Sequence, residues 1–389
     1  MEKLKNRDIE RSEKPVKVLQ ILRGSGSYGG VASFLLSRYK YMDHNKIQFD
    51  FLFCQKNCID KEKIEKYLLE SRLDELNVLK EKNSILDYII LLIKVIEYLK
   101  KNRYSIVHIN TGSLPVTLVC LLAASNVGVK KKIAHSHSSN YKNGKLNTKY
   151  YFLPVKKILQ FFIYKYSDYQ FACSKSAAEN MFGSKCNYII INNAIDTSQF
   201  FYNEVQRNKV RSEYNVKDKH VFGYVGRLSK SKNIIFLISI FKCILERDKQ
   251  AVFWIIGDGE ECENIRKEII QLKLINNICL FGNREDVNLL MLAMDGLIFP
   301  SLYEGLSITL IEAQAVGLPV FASNTLSEEH KLTDLITFIS LQRPASEWSE
   351  IVLSNYKKFE RTDQRQALIN AGYEIRDSVK ELENYYLNT

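Results

Sequence analysis

The chain has 389 residues, of which 46% are apolar and 25% charged, with only 17 Gly and 6 Pro. That composition excludes disordered, collagen-like and low-complexity classes, and the length exceeds what one hydrophobic core usually organises, so two domains are expected. The formal charge of +11 is uneven: residues 1–200 carry +14, the remainder carries −3, and positions 98–167 hold 12 Lys/Arg with no acidic residue. Such a local bias predicts an anionic partner.

The N-terminus, MEKLKNRDIERSEKPVK, is charged and lacks the apolar stretch of a secretory signal, and the longest apolar runs (Tyr88 to Ile93, Leu114 to Ala124) fall short of a membrane span. A cytoplasmic location is the expectation. Eight cysteines are scattered with no paired metal-ligand spacing, so they read as reduced packing thiols.

From Val16 the pattern is strand (VKVLQIL), glycine loop (RGSGSYGG), helix (VASFLLSRYKYM). Strands are expected next at Ile47 to Phe53, Ser105 to Ile109, Lys132 to His135 and Tyr169 to Cys173. Helices are expected at Ser84 to Lys101, Leu114 to Ala124 and Ser174 to Phe182. A second series starts at His220 with VFGYVG. It continues through a helix at Asn233 to Arg247, AVFWIIG, a helix at Glu260 to Leu274, ICLFG, a helix at Val287 to Met294, GLIFP, a helix at Ser307 to Val316 and PVFAS. Two alternating series predict two doubly wound α/β domains with parallel sheets, whose strand ends meet at a cleft. The expected division is a polar leader at 1–14, a first domain at 15–195, a second at 196–361, and a helix at 362–389 packing back toward the first domain. The boundary rests on the turn-rich INNAIDTSQF.

Four groups of residues at strand ends carry candidate chemistry. Within PSLYEGLSITLIEAQAVGLPV, Glu304 follows a strand, Gly305 is expected to mark the helix start, and Glu312 then sits two turns in, so the carboxylates address different parts of one ligand. In GYVGRLSKSKN, Gly226 permits close backbone approach, while Arg227 and Lys232 suit a diphosphate. Taken alone, that segment reads more readily as loop charge. The Gly24 to Gly30 loop before a helix makes an anion site from backbone amides, a weak signal without further nucleotide-binding spacing. His135 and His137, two apart on one strand, face the same way. With no third ligand they read as proton-handling or phosphate-contacting histidines ahead of a metal pair, with simple packing as the bland alternative. No nucleophile elbow and no Asp-x-Asp pair occurs.

The Glu304/Glu312 block, GRLSKSKN, GDGE at Gly257 to Glu260, FGNREDVNLLMLAMD and RGSGSYGGVASFL resemble family 4 of the retaining GT-B glycosyltransferases. KKIAHSHSS, FACSKSAAENMFG and SEEHKLTDLITFISL resemble the bacterial exopolysaccharide and capsule branch. The resemblance implies a nucleotide diphosphate sugar donor, UDP first among the bases, and a glycan or lipid-linked glycan acceptor. It places Glu304 on the donor sugar, Glu312 on the ribose, Arg227 and Lys232 on the diphosphate, and His137 beside the sugar. The amides near Gly29 and Gly30 face the phosphate, and Gly226, Gly305, Leu306 and Ser307 complete the donor site. No metal and no further cofactor is implied. Two departures are Ala194 in NNAID, where the family usually has Gly, and Leu306-Ser307, where Pro is common.

Two alternatives compete: a nucleotide-sugar epimerase on the same fold, and a basic module for nucleic acid or membrane, of which nucleic acid is the less favoured. The stretch KYYFLPVKKILQFFIYKY (149–166) mixes lysines with aromatics and no acid, and is a candidate contact for an anionic membrane surface.

Overall fold

The structure, a computed structural model, describes residues 14–23, 30–55, 71–80, 83–137, 141–142, 145–146 and 153–388. Its first half is built on a seven-stranded parallel sheet. In chain order the elements are β1 (Val16–Leu22), α1 (Gly30–Tyr39), β2 (Ile47–Gln55), β3 (Leu73–Leu79), α2 (Ile85–Asn102), β4 (Ile106–Asn110), α3 (Leu114–Asn126) and β5 (Lys131–Ser136). A two-stranded hairpin follows, β6 (Tyr141–Lys142) and β7 (Lys145–Leu146), then α4 (Leu153–Tyr166), β8 (Tyr169–Ala172), α5 (Lys175–Phe182) and β9 (Ile189–Ile190). The sheet order is β3-β2-β1-β4-β5-β8-β9. Its central strands are buried on both faces, which is why VKVLQIL and IVHIN read as nearly continuous apolar runs.

The second half has α6 (Glu204–Glu213), β10 (His220–Val225), α7 (Ile234–Arg247), β11 (Ala251–Ile256), α8 (Cys262–Gln271), β12 (Ile278–Gly282) and α9 (Val287–Ala293). It continues with β13 (Gly296–Phe299), α10 (Ile308–Ala315), β14 (Val320–Ser323), β15 (Ile336–Ile339) and α11 (Ala345–Asn355). Its six strands pair in parallel in the order β12-β11-β10-β13-β14-β15. In both sheets the strand order reverses beside the first strand. The crevice outside those carboxyl ends is where such sheets bind ligands.

The returning tail differs from one continuous helix. It forms α12 (Arg365–Asn370) and α13 (Ile375–Leu387), separated at Gly372, whose φ of +81° suits glycine. The break is used: Ile195 N–H donates to the Tyr373 carbonyl and Ile375 N–H to the Ile195 carbonyl, so tail and interdomain linker lie side by side. Past this bridge α13 lands on the first sheet. Ile375, Val379, Leu382 and Tyr386 join a core with Val18, Phe34, Phe49, Ile133 and Phe171. Arg38, buried in α1, ties the three parts together through the Phe34 and Asn192 carbonyls and the Ser378 hydroxyl. Burial pulls its pKa down to about 9. Ala194 is buried against this core and is not among the positive-φ residues, so nothing at that position demands a glycine.

Candidate active site

Three loops at the carboxyl ends of β10, β11 and β13 meet in the second domain. The turn after β10 runs close to the turn after β11: Leu228 N–H donates to the Asp258 carbonyl, and Glu261 N–H to the Leu228 carbonyl. A Cβ on Gly257 would lie 2.0 Å from the Gly226 carbonyl oxygen, and one on Gly259 2.3 Å from that of Leu228. These two glycines are required for close packing of backbone on backbone. Gly226 itself has φ +149°, a conformation side chains rarely adopt.

That packing aims the GRLSKSKN segment at the loop after β13. Lys232 closes a short 3-10 turn and its ammonium pairs with Glu304, with side chains only 18% and 11% exposed. The structure thus brings together two of the sequence-selected residues, 72 positions apart. Arg227 is elsewhere: its guanidinium engages Glu260 at 3.1 and 3.2 Å, both side chains about half exposed. Arg227 is therefore presented at the surface of the cleft, with a solvated partner that it can exchange.

Helix α10 begins at Ile308 with Ser307 as its N-cap, later than Gly305. Glu312 consequently sits about one turn in, not two. No side chain hydrogen-bonds its carboxylate among the described residues, and burial pushes its pKa up to about 7. The loop before α10 is fixed by groups the sequence reading did not select. Buried His330 donates from Nδ1 to the Ser327 carbonyl at 2.8 Å and accepts the Ser307 N–H on Nε2 at 3.0 Å. Leu306, expected among the donor-site residues, packs its side chain with Ile195, Ile311, Leu368 and Tyr373. Its carbonyl accepts Asn193 Nδ2 at 3.1 Å, and the Cys173 thiol is held near its backbone. The apolar side chain is consumed by the interdomain seam.

From the first domain, β5 delivers His135 and His137 on the same side of the strand, rings 4.0 Å apart. His135 is buried and His137 is half-buried at the strand end, and the two differ in role. His137 Nε2 lies 3.0 Å from Asn110 Oδ1, while Asn110 Nδ2 donates to Gln20 Oε1 and to the His108 carbonyl. With the amide nitrogen spent on two acceptors, the oxygen faces His137, so Nε2 carries the proton and Nδ1 keeps a free lone pair. Burial, reinforced by Arg38, pulls its pKa down to about 3, which leaves a neutral ring. The His137 carbonyl lies 3.5 Å from where a Gly305 Cβ would stand, one residue from Glu304, so the histidine and the carboxylate loop adjoin across the cleft. Behind it, His135 Nδ1 meets His108 Nε2 at 3.1 Å, and His108 Nδ1 meets the Tyr386 hydroxyl at 2.6 Å.

Gly29 and residues 24–28 lie outside the described residues; Gly30 opens α1. Among the described residues no group of three His, Cys, Asp or Glu could hold a metal ion. No helix of the structure is long and apolar enough to cross a membrane.

Residues 205–374, which hold Arg227, Lys232, Glu304 and Glu312, match the family model described as Glycosyl transferases group 1. The chain carries a glycosyl transferases group 1 domain. This domain begins at α6 and ends at the bridge to the linker. Over 385 residues the chain is 28% identical to EpsF of Bacillus subtilis (strain 168), which bears a glycosyltransferase name, covering 95% of this chain and 96% of that one. It is 28% identical over 243 residues, 60% of this chain and 61% of the other, to the Escherichia coli UDP-Gal:alpha-D-GlcNAc-diphosphoundecaprenol alpha-1,3-galactosyltransferase.

Among solved structures, Anabaena Alr3699/HepE in complex with UDP and glucose superposes with a TM-score of 0.72 at 16% identity, over 96% of this chain and all of that one. A structure from Listeria monocytogenes that bears a UDP-N-acetylglucosamine 2-epimerase name reaches 0.66 at 11% identity, over 96% of this chain and 98% of that one. The fold around the group 1 domain is GT-B. Fold alone does not choose between transferase and epimerase.

Proposed function

We propose that this protein is a retaining glycosyltransferase. It moves a sugar from a nucleotide diphosphate donor, UDP first among the bases, to a glycan or lipid-linked glycan in extracellular or capsular polysaccharide synthesis on the cytoplasmic side. The observation that carries the reading is the Lys232–Glu304 pair, set in the group 1 domain and adjoining His137 across the cleft. The relatives named above support the substrate class.

In this reading Lys232, with Arg227 released from Glu260, receives charge that develops on the diphosphate as the anomeric C–O bond breaks and its electron pair passes to the phosphate oxygen. Glu304 holds the sugar, and Glu312 accepts ribose hydroxyls. His137, neutral with Nδ1 bare, accepts a sugar hydroxyl, not a phosphate. The acceptor hydroxyl attacks the face that the diphosphate leaves, and its proton goes to the departing phosphate oxygen. Neither carboxylate serves as a covalent nucleophile, and no metal is needed to neutralise the leaving group.

The test is thermal protection by a panel of nucleotide sugars, since a donor bound to the folded state raises its melting temperature, followed by turnover of the protecting donor with and without acceptor glycans. Acceptor-dependent transfer that persists in chelator supports the reading. Turnover of the donor to its epimer without acceptor would replace it with the epimerase. Salt-sensitive oligonucleotide binding with no donor protection would replace it with the basic module.

A further inference from the structure

The first sheet's α2, α3 and α4 side leaves apolar groups in water that a packed domain has no use for. On α2, Ile85 is 80% and Leu86 63% exposed, and Ile89, Ile90 and Ile93 follow on the same outer side. The inner side of the same helix is ordinary core: Leu91, Val95 and Leu99 are buried. On α4, Phe161 is 63% exposed, with Val155, Ile158 and Tyr164 beside it, while Ile163 points inward. Helix α3 packs between the two, so the apolar rows flank one common surface. Helix α2 starts shortly after β3 of the sheet ends, so Ile85 and Leu86 lie toward the cleft edge.

Charge selects the occupant. Lys94, Lys100, Lys101, Lys157 and Lys165 are exposed on these helices, whereas α4 has no acidic residue and α2 only Asp87 and Glu97. Asp87 is committed to the capping box with Ser84. A second copy would bring like cations face to face. Exposed aliphatic and aromatic side chains ringed by lysines instead suit acyl chains beneath anionic headgroups.

We propose that the α2/α4 face docks on an anionic lipid bilayer, with Ile85, Leu86, Ile89, Ile93, Ile158 and Phe161 inserting and the lysines meeting headgroups. The cleft then opens toward the membrane plane. This deepens the lipid-linked form of the acceptor reading. It also widens the sequence expectation for 149–166, of which 149–152 lie outside the described residues. Lys156 is partly committed to Asn180 Oδ1 at 3.1 Å and so is a poor site for charge reversal.

The experiment is sedimentation of the full chain with vesicles of phosphatidylcholine alone or with 30% phosphatidylglycerol, at low and high salt. It compares wild type, Ile89→Gln/Ile93→Gln and Lys157→Glu/Lys165→Glu. All four substituted side chains face solvent, so melting temperature and donor protection should match wild type, and those readouts test the transferase reading separately. Wild type is expected to bind the anionic vesicles, and each double variant to lose at least tenfold, with the charge variant losing most at low salt. Equal, weak sedimentation of all three proteins with both vesicle types overturns the proposal. So does a wild-type dimer in light scattering that the isoleucine variant converts to monomer, which would assign the face to a second copy.

Discussion

Glu304 and Lys232 are each other's main charge partner, and both are largely withdrawn from water. Removing either strands the other, which costs more than the pair is worth. Glu304→Gln and Lys232→Met should each lower the melting temperature and cut turnover by about ten to a hundredfold or more. The double variant should regain part of the stability and none of the turnover; additive losses in a double-mutant cycle would show that the pairing is not real.

Glu312 raises a different question, because its carboxyl titrates at about 7 against an ordinary 4.5. The folded protein therefore keeps a proton that the unfolded chain has released. Wild type should lose stability relative to Glu312→Gln as pH rises from about 4.5 to about 7, with no further divergence above. Denaturant titrations at several pH values check this, and parallel curves would reject it. Donor KM should rise in Glu312→Ala with little change in kcat, since the ribose is a spectator.

On the proposed function, Asn110 acts through His137, whose Nε2 lies against its Oδ1. Asn110→Ala should lower kcat/KM at least tenfold by freeing the ring. Asn110→Asp should place a carboxylate against Nε2–H and move the acidic limb of the pH profile upward. An unmoved limb in Asn110→Asp would mean that His137 is not held through this contact. Sequence spacing reveals the two histidines because they end an apolar strand. It does not reveal Asn110, Gln20 or His330, whose partners are 27, 90 and 23 residues away and carry no local signature.

At the level of elements, the strand-end turns depend on glycine for two separable reasons. Gly257 has φ +132° and no room for a Cβ, whereas Gly282 has φ +64° and open space around it. Gly282→Ala should cost only the left-handed strain of about 1–2 kcal/mol. Gly257→Ala must also push the Gly226 backbone away, so it should cost more and abolish thermal protection by donor. Equal effects of the two substitutions would argue that the turns do not brace one another.

The same contrast explains which elements were legible. Buried strands such as VKVLQIL and AVFWII announce themselves through continuous apolar character. Edge strand β3, LDELNVL, pairs on one side only and is mostly half-exposed, so it carries too few apolar residues to register. Helix α6, EVQRNKVRSE, buries only Val210 and the Arg211 stem, the latter holding Asp295 and the Ala293 carbonyl, and reads as loop. Helix α10 starts later than Gly305 because Ser307 is the extended N-cap, its N–H held by His330 Nε2.

For the whole molecule, the first domain's core is not made from the first half of the chain alone. Leu382, fully buried beside Val18 and Phe49, belongs to it. Leu382→Ala should destabilise by about 2–5 kcal/mol. Hydrogen exchange should report the loss in β1 and β2 as well as in α13; loss confined to α13 would mean that the tail is an appendage. This closure also has a consequence in time. A growing chain emerges from the ribosome at ~5–20 residues per second, so the interval between Ile191 and Tyr386 is on the order of 10–40 s. Throughout that interval the first sheet is complete in its strands yet bare on the side that α13 will cover. The nascent protein must shelter this surface until its last helix arrives, which makes synthesis rate and holding chaperones determinants of its yield.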